Sequence, residues 1–124
     1  MAFDWRQLVV LAGHLKGGIA QGADAETHDR ASISRAYYGA FNVARNYLES
    51  QPGASPFPAG SQVHQAVKLR LQNSSDQAER QAGLDLDRLR KYRNRADYRD
   101  NFSQSAKVAV ASYALAQSVL ANLP

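Results

Sequence analysis

Three of the four prolines of this chain fall between Pro52 and Pro58, in a segment that also contains Gly53 and Gly60. Proline lacks a backbone donor and clashes with the preceding helical turn, so this segment can form neither a helix nor a central strand. The remaining proline is the last residue, Pro124. The segment therefore predicts a loop, with long stretches on both sides that are free to form helices.

Apolar residues recur at spacings of three and four in five segments, as in amphipathic helices, and no strand-like alternation is present. We therefore predict an all-α fold, an up-and-down antiparallel bundle of four to five helices that forms a single domain over residues 1–124. The predicted helices cover residues 3–21, 24–50, 61–72, 76–98 and 103–122, and the predicted N-caps of the first, fourth and fifth are Asp4, Ser74 and Ser103.

The composition excludes several classes of protein. Hydrophobic residues make up 44% and charged residues 21%, which is typical of a globular rather than a disordered chain. The absence of cysteine excludes disulfides and thiolate metal sites and fits a reducing compartment, so we expect a cytoplasmic protein. Asp4 and Arg6 interrupt the N-terminal apolar residues, and no signal peptide is expected. The most apolar stretch, residues 106–123, contains Lys107 and predicts a packed helix, not a membrane span.

The sequence contains no pattern typical of a metal or cofactor site. His14, His28 and His64 have no ligand-type partners at helical spacing, and each is interpreted as a surface or capping residue. No nucleophile elbow and no glycine-rich phosphate loop is present. We therefore predict neither a metal nor a cofactor.

The charge is concentrated in one short segment. Six basic residues lie between Arg88 and Arg99 against one acid, Asp97, in a chain with a formal net charge of +4. Tyr92 and Tyr98 are interleaved with them. A basic run with aromatic residues indicates nucleic-acid binding, but only weakly, because a solvated helix face has the same pattern.

Arg93 occupies a position where an apolar residue is expected. It falls in line with Leu86, Leu89 and Ala96 on the predicted fourth helix. Burying its charge alone would cost several kcal/mol. Two interpretations remain open: a structural arginine paired with Asp97, one turn later, or an arginine that lines a phosphate-binding groove.

Two segments resemble HEPN-domain proteins. Residues 34–45, which begin Ser-Arg-Ala-Tyr-Tyr, are similar to the second helix of that family, and residues 89–98, which contain Arg93-Asn94 and end Ala-Asp-Tyr, are similar to its fourth. The resemblance covers nearly the whole chain. It implies a bundle of four or five helices, commonly dimeric. Many members are metal-independent ribonucleases or toxins, often encoded beside a small nucleotidyltransferase that acts as antitoxin.

The catalytic motif of that family is present only in part. It consists of an arginine, usually followed by a polar residue, with a histidine roughly one to two helical turns later. Arg93-Asn94 matches the first half, but Tyr98 stands where the nearest histidine would fall, and no histidine follows Arg93. Histidine serves as acid or base because its pKa is near neutrality, whereas that of tyrosine is not. For such Ala-Asp-Tyr variants, the resemblance implies a binding or accessory role.

We therefore expect a HEPN-type module with little or no catalysis, a homodimer in a toxin–antitoxin or defence-type system. One alternative is a partner of a nucleotidyltransferase-like protein, with Trp5 and Tyr38 at the interface. Another is a metal-independent ribonuclease, whose candidate catalytic residues are Arg93, Asn94, Asp97 and Tyr98, with His64 as a further acid or base. The residues expected to bind RNA or a nucleotide are Arg45, Arg90, Arg93, Asn94, Arg95 and Tyr98.

Overall fold

The computed structural model describes residues 3–18 and 23–124, and within them it contains five α-helices and no β-strand. The prediction of an all-helical bundle is confirmed, and each helix falls within its predicted segment. The helices are α1 (Arg6–Leu15), α2 (Ala25–Glu49), α3 (Val63–Gln72), α4 (Gln77–Tyr98) and α5 (Ser105–Asn122).

The first helix is shorter than predicted, because it ends at Leu15. Gly17 adopts a φ of 67°, a left-handed conformation that terminates helices and that glycine reaches without steric cost. The Asp29 carboxylate accepts a hydrogen bond of 3.0 Å from the Gly17 N–H and so holds this turn against α2. Residues 19–21, which were predicted as helix, lie outside the described residues.

The predicted helix caps were wrong at α4 and α5 and partly right at α1, where the Asp4 carboxylate accepts a hydrogen bond of 3.1 Å from the Arg6 N–H although Trp5 is the residue immediately before the helix. The Asp76 carboxylate, rather than the Ser74 hydroxyl, caps α4, because it accepts a hydrogen bond of 2.8 Å from the Ala78 N–H. Several short polar residues precede these helices, and the backbone turn decides which of them reaches a free N–H group. The residues immediately before α1, α4 and α5 are Trp5, Asp76 and Gln104, instead of the predicted Asp4, Ser74 and Ser103.

The central helix α2 runs antiparallel to α4. Near the start of α2, Arg30 donates a hydrogen bond of 2.8 Å to the carbonyl of Ala96, at the end of α4. Near the end of α2, Tyr47 donates one of 2.7 Å to Glu79, at the start of α4. The two helices are therefore aligned along most of their length, which places the middle of α2 beside the C-terminal half of α4.

The helix α1 packs closely on the same central helix. A Cβ atom at Gly39 would lie 2.9 Å from Cγ2 of Val9 and 3.1 Å from the carbonyl oxygen of Trp5. Glycine at this position lets the two backbones approach within a distance that no larger residue would permit. The close contact between α1 and α2 therefore lies at Gly39, the residue that follows Tyr38.

The long proline- and glycine-containing connection brings α3 back to the middle of α2. His64, the second residue of α3, stacks on Phe41 with the ring centroids 4.2 Å apart. At the other end of α3, Gln72 donates a hydrogen bond of 3.4 Å to the carbonyl of Gly83, near the start of α4. The direction of α3 thus matches that of α2, because the connection is long enough to return along the bundle, and the predicted up-and-down, antiparallel order does not hold between these two helices.

The predicted apolar stripe of α4 is buried as expected. Ala82, Leu86 and Leu89 belong to a hydrophobic cluster that includes residues from all five helices. Arg93 and Ala96 continue the stripe and are also buried. Within the described ranges, no helix combines the length and the apolar character needed to cross a membrane.

Candidate functional site

Arg93 lies on the buried face of α4, with 7% of its surface exposed. Its guanidinium carbon is 5.2 Å from the ring centroids of both Tyr37 and Tyr38, which are neighbours on α2. Nη1 of Arg93 donates a hydrogen bond of 3.2 Å to the Tyr38 hydroxyl. The cation is therefore held mainly by aromatic rings, which attract it electrostatically but do not neutralise it.

Asp97, the predicted structural partner of Arg93, is only loosely paired with it. The distance from Nη1 of Arg93 to Oδ2 of Asp97 is 3.8 Å, whereas charge-assisted hydrogen bonds are about 2.7–2.9 Å long. Nε of Arg93 is buried and has no hydrogen-bond partner among the described residues. A purely structural arginine would have its buried donors satisfied, so this geometry favours the groove interpretation.

Two further arginines also have a buried Nε atom without a hydrogen-bond partner among the described residues. Nε of Arg45, on α2, and Nε of Arg90, on α4, are both buried without a hydrogen-bond partner in the described chain. Arg90 precedes Arg93 by three residues and so lies on the same side of α4, while the guanidinium of Arg45 lies 6.0 Å from the Phe41 ring. We refer to Arg45, Arg90 and Arg93 as the arginine cluster.

His64 lies against the arginine cluster, although it comes from a different helix. Its ring stacks on Phe41 and Tyr37 and meets Tyr38 edge-on, with centroid distances of 4.2, 5.6 and 6.4 Å. Nδ1 of His64 is hydrogen-bonded to the Tyr37 hydroxyl. The interpretation of His64 as a surface or capping residue was therefore wrong: the return of the chain before α3 brings it to the side chain of a residue 27 positions earlier.

The pKa values of this histidine and tyrosine are shifted so that both are neutral near pH 7. Burial, together with the positive charges of Arg90, Arg93 and Arg45, lowers the pKa of His64 below its ordinary value of 6.5. Burial also raises the pKa of Tyr37 to about 12. Because Tyr37 keeps its proton, its hydroxyl can donate to Nδ1 of His64, which leaves Nε2 of the imidazole as a donor.

The site has a surplus of positive charge and of unused donors. Within the described residues, neither Arg45 nor Arg90 has a carboxylate within ion-pair distance, and the Asp97 carboxylate is 3.8 Å from Arg93. A buried charged donor without a partner costs about 1–3 kcal/mol or more. An anion would supply the missing acceptors, and the planar fork of a guanidinium matches phosphate oxygens especially well.

Tyr98 and Asn94 lie at the exposed edge of this site. Tyr98 is 72% exposed, yet its hydroxyl is 3.5 Å from Nη1 of Arg93 and its ring centroid is 5.9 Å from the guanidinium carbon. Asn94 is exposed, one residue beyond Arg93 on α4. An accessible aromatic face thus borders a buried cationic group.

Arg95 lies apart from the arginine cluster, although it was grouped with those residues from the sequence. Its guanidinium is 5.0 Å from the ring of Phe102, which belongs to a second apolar cluster with Ile33 and Ala96. Two residues along a helix correspond to a rotation of about 200°, so Arg95 and Arg93 point in nearly opposite directions. The structure brings together Arg45, Arg90, Arg93 and Tyr98, but not Arg95.

Trp5 and Tyr38, the predicted interface residues, lie at different places on the molecule. Tyr38 is half-buried beside Arg93 and is therefore part of the site. Trp5 is half-buried at a separate open cavity of about 450 Å³, formed by the N-terminal residues with α2 and α5. Its other apolar lining residues are Phe3, Val43, Tyr47, Leu120 and Leu123.

The described residues contain no group of three histidine and carboxylate side chains that could hold a metal ion. His28, interpreted as a surface or capping residue, is not at the surface, because it is buried; Nδ1 lies 3.0 Å from the carbonyl oxygen of Asp24, the residue that precedes α2. His14 is exposed, as predicted.

Comparisons of the chain with protein-family models, curated proteins and solved structures gave no match. The similarity to HEPN-domain proteins therefore rests on the two helical segments described above, and membership of that family stays a prediction.

The lowered pKa of His64 leads to a prediction about stability and pH. In the unfolded chain this histidine gains its proton as the pH falls through about 6.5, but in the folded protein it does so only at lower pH. Folding stability should therefore decrease as the pH falls below 6.5, and His64→Gln should reduce this dependence. Urea unfolding at several pH values measures it, with His14→Gln as the exposed control. Equal pH dependence in all three proteins would contradict the prediction.

Proposed function

We propose that this protein is a binding module for RNA or a nucleotide, with little or no catalytic activity, and that the arginine cluster holds a phosphate group of the ligand. The observation that carries the proposal is that three arginines from two helices each have a buried Nε with no hydrogen-bond partner among residues 3–18 and 23–124. Buried donors are normally paired. The positive charges of all three act on His64, and three such donors around one residue are best explained by an acceptor that arrives with a ligand.

The aromatic residues around the arginine cluster support the same proposal. Tyr37, Tyr38 and Tyr98 surround Arg93, and Tyr98 is the exposed ring of the three. Arginine beside an exposed aromatic ring is typical of proteins that bind single-stranded RNA. The resemblance to HEPN proteins supports it independently, since the Ala-Asp-Tyr variants imply a binding role. By the same resemblance, we propose a homodimer that acts in a toxin–antitoxin or defence-type system.

RNA binding by matched variants tests this function. A fluorescent single-stranded RNA titrated with the protein should bind with an affinity that falls steeply between about 50 and 200 mM salt. Arg90→Gln should weaken binding by about tenfold or more, because it removes a buried donor to phosphate. Arg88→Gln changes an exposed arginine on the same helix and should change affinity by less than about threefold.

Two outcomes would contradict the proposed function. One is the absence of RNA and nucleotide binding even at low salt. The other is an equal loss of affinity for Arg90→Gln and Arg88→Gln, which would mean that the surface charge of α4, rather than the buried site, attracts the RNA.

A second function is favoured by the position of His64. In the other neutral tautomer, Nδ1–H of His64 donates to the Tyr37 hydroxyl and Nε2 carries a free lone pair. In that form His64 could act as a general base in a metal-independent ribonuclease, in place of the histidine that is absent after Arg93. This alternative requires that the protein cleaves RNA and that His64→Gln abolishes cleavage while RNA binding is kept. Cleavage that survives both His64→Gln and Arg93→Leu would indicate a contaminating nuclease.

A further inference from the structure

The charge of the arginine cluster indicates which kind of phosphate group it binds. We propose that the arginine cluster binds a terminal phosphate group, carried by the end of an RNA strand or by a nucleotide, in preference to an internal phosphodiester. This inference rests on the proposed function, since it concerns the same site.

The net charge of the arginine cluster is matched better by a terminal phosphate group than by an internal phosphodiester. The three guanidinium groups carry three positive charges, and Asp97 is the carboxylate within 4 Å of any of them among the described residues. The neutral His64 adds no charge, so the site has a net charge of about +2. A terminal phosphate carries about −1.5 to −2 at pH 7, whereas each internal phosphodiester carries a single negative charge.

The burial of the arginine N–H groups also favours a terminal phosphate. The side chain of Arg93 is 8% exposed, and the Nε atoms of Arg45 and Arg90 are buried on two different helices. A terminal phosphate presents three free oxygens to such converging donors. An internal phosphodiester has only two free oxygens, since its other two oxygens are in ester bonds to the flanking nucleotides.

The exposed ring of Tyr98 indicates that the phosphate is attached to a nucleoside. Its hydroxyl is 3.5 Å from Nη1 of Arg93, and 72% of the residue is exposed. A base attached to a phosphate at the arginine cluster would find this ring within reach and could stack on it. Such stacking contributes about 1–3 kcal/mol per base and tolerates any base, because every base has an aromatic face.

The test compares RNA oligonucleotides of one sequence that differ only at their ends. One carries a 5′-phosphate, one a 3′-phosphate, and one has hydroxyl groups at both ends. We expect at least one phosphorylated RNA to bind about tenfold more tightly than the unphosphorylated RNA, corresponding to about 1.4 kcal/mol. In Arg90→Gln this preference should largely disappear, whereas Arg88→Gln should keep it.

A nucleoside monophosphate and inorganic phosphate complete the series. Tyr98→Ala should weaken binding of the nucleoside monophosphate by a larger factor than that of inorganic phosphate, because only the nucleoside has a base that can stack on the Tyr98 ring. A nucleotide that binds as tightly as the phosphorylated RNA would identify free nucleotides as the source of the group, and weaker nucleotide binding would identify RNA ends; both results support the inference.

The inference and the proposed function fail in different ways. Equal affinity for all three RNAs, still weakened by Arg90→Gln, would overturn the inference and leave the proposed function intact. Absence of binding to every RNA, to the nucleotide and to inorganic phosphate would overturn both.

Discussion

Replacing Arg93 with leucine is expected to weaken RNA binding by about thirtyfold or more, while the free energy of unfolding falls only modestly. Removal of a buried charged partner from a binding site costs about 2–5 kcal/mol, which raises the dissociation constant by roughly thirtyfold or more. The folded protein loses the hydrogen bonds to the Tyr38 and Tyr98 hydroxyls and the contacts with three tyrosine rings. In return it is relieved of a buried charge that repels its neighbours.

The lost contacts and the relieved charge partly offset one another in the unliganded protein. A cation–π contact contributes about 0.5–1 kcal/mol at an exposed site and about 2 kcal/mol or more when it is desolvated, whereas the Asp97 carboxylate, at 3.8 Å, stabilises Arg93 only weakly. Leucine fills the space with an apolar side chain in line with Leu89, and replacing buried charged groups by apolar residues is often neutral or stabilising. We therefore expect the free energy of unfolding to fall by less than about 2 kcal/mol.

Urea unfolding of the Arg93→Leu protein measures its free energy of unfolding, and an RNA titration of the same sample measures its dissociation constant. A loss of more than about 3 kcal/mol of stability would show that Arg93 is a structural residue, as expected for breaking a satisfied buried ion pair. Unchanged RNA affinity would contradict the proposed role directly. Added inorganic phosphate provides a further comparison: it should raise the melting temperature of the wild-type protein but not that of Arg93→Leu.

The helices were predictable because the sequence carries a local signal for them. In α4, the apolar spacing from Ala82 to Leu89 places one face in the core, and Arg93 could be assigned to that face by counting turns. The ends of the helices were less predictable. Whether Ser74 or Asp76 caps α4 depends on the backbone turn before the helix, which the residue types alone do not determine.

The composition of the site was predictable only where its residues share a helix. Arg90 and Arg93 are three residues apart, so periodicity places them together, and the same reasoning separates Arg95, which the count of basic residues had included. His64 reaches the arginine cluster only because the chain between α2 and α3 turns back along α2. No local pattern specifies that path, so neither the contact of His64 with Tyr37 nor the shift of its pKa could be derived.

Replacing Leu89 with alanine is expected to lower the free energy of unfolding by about 2–5 kcal/mol. Leu89 is 0% exposed and belongs to the cluster that includes residues from all five helices. Alanine would leave a cavity that its neighbours could fill only in part. Because domains of this size are stable by only about 5–15 kcal/mol, the change would remove a large fraction of the total stability.

Leu84→Ala provides the matched control, since Leu84 lies on the same helix but is 53% exposed. The same side chain is removed, while little burial is lost and alanine is an equally good helix former, so the expected change is within about 0.5 kcal/mol. Urea unfolding of both variants gives the comparison. Similar losses for Leu84→Ala and Leu89→Ala would contradict the assignment of the buried face of α4. That face also carries Arg90 and Arg93, so the result bears on the arginine cluster as well as on the core.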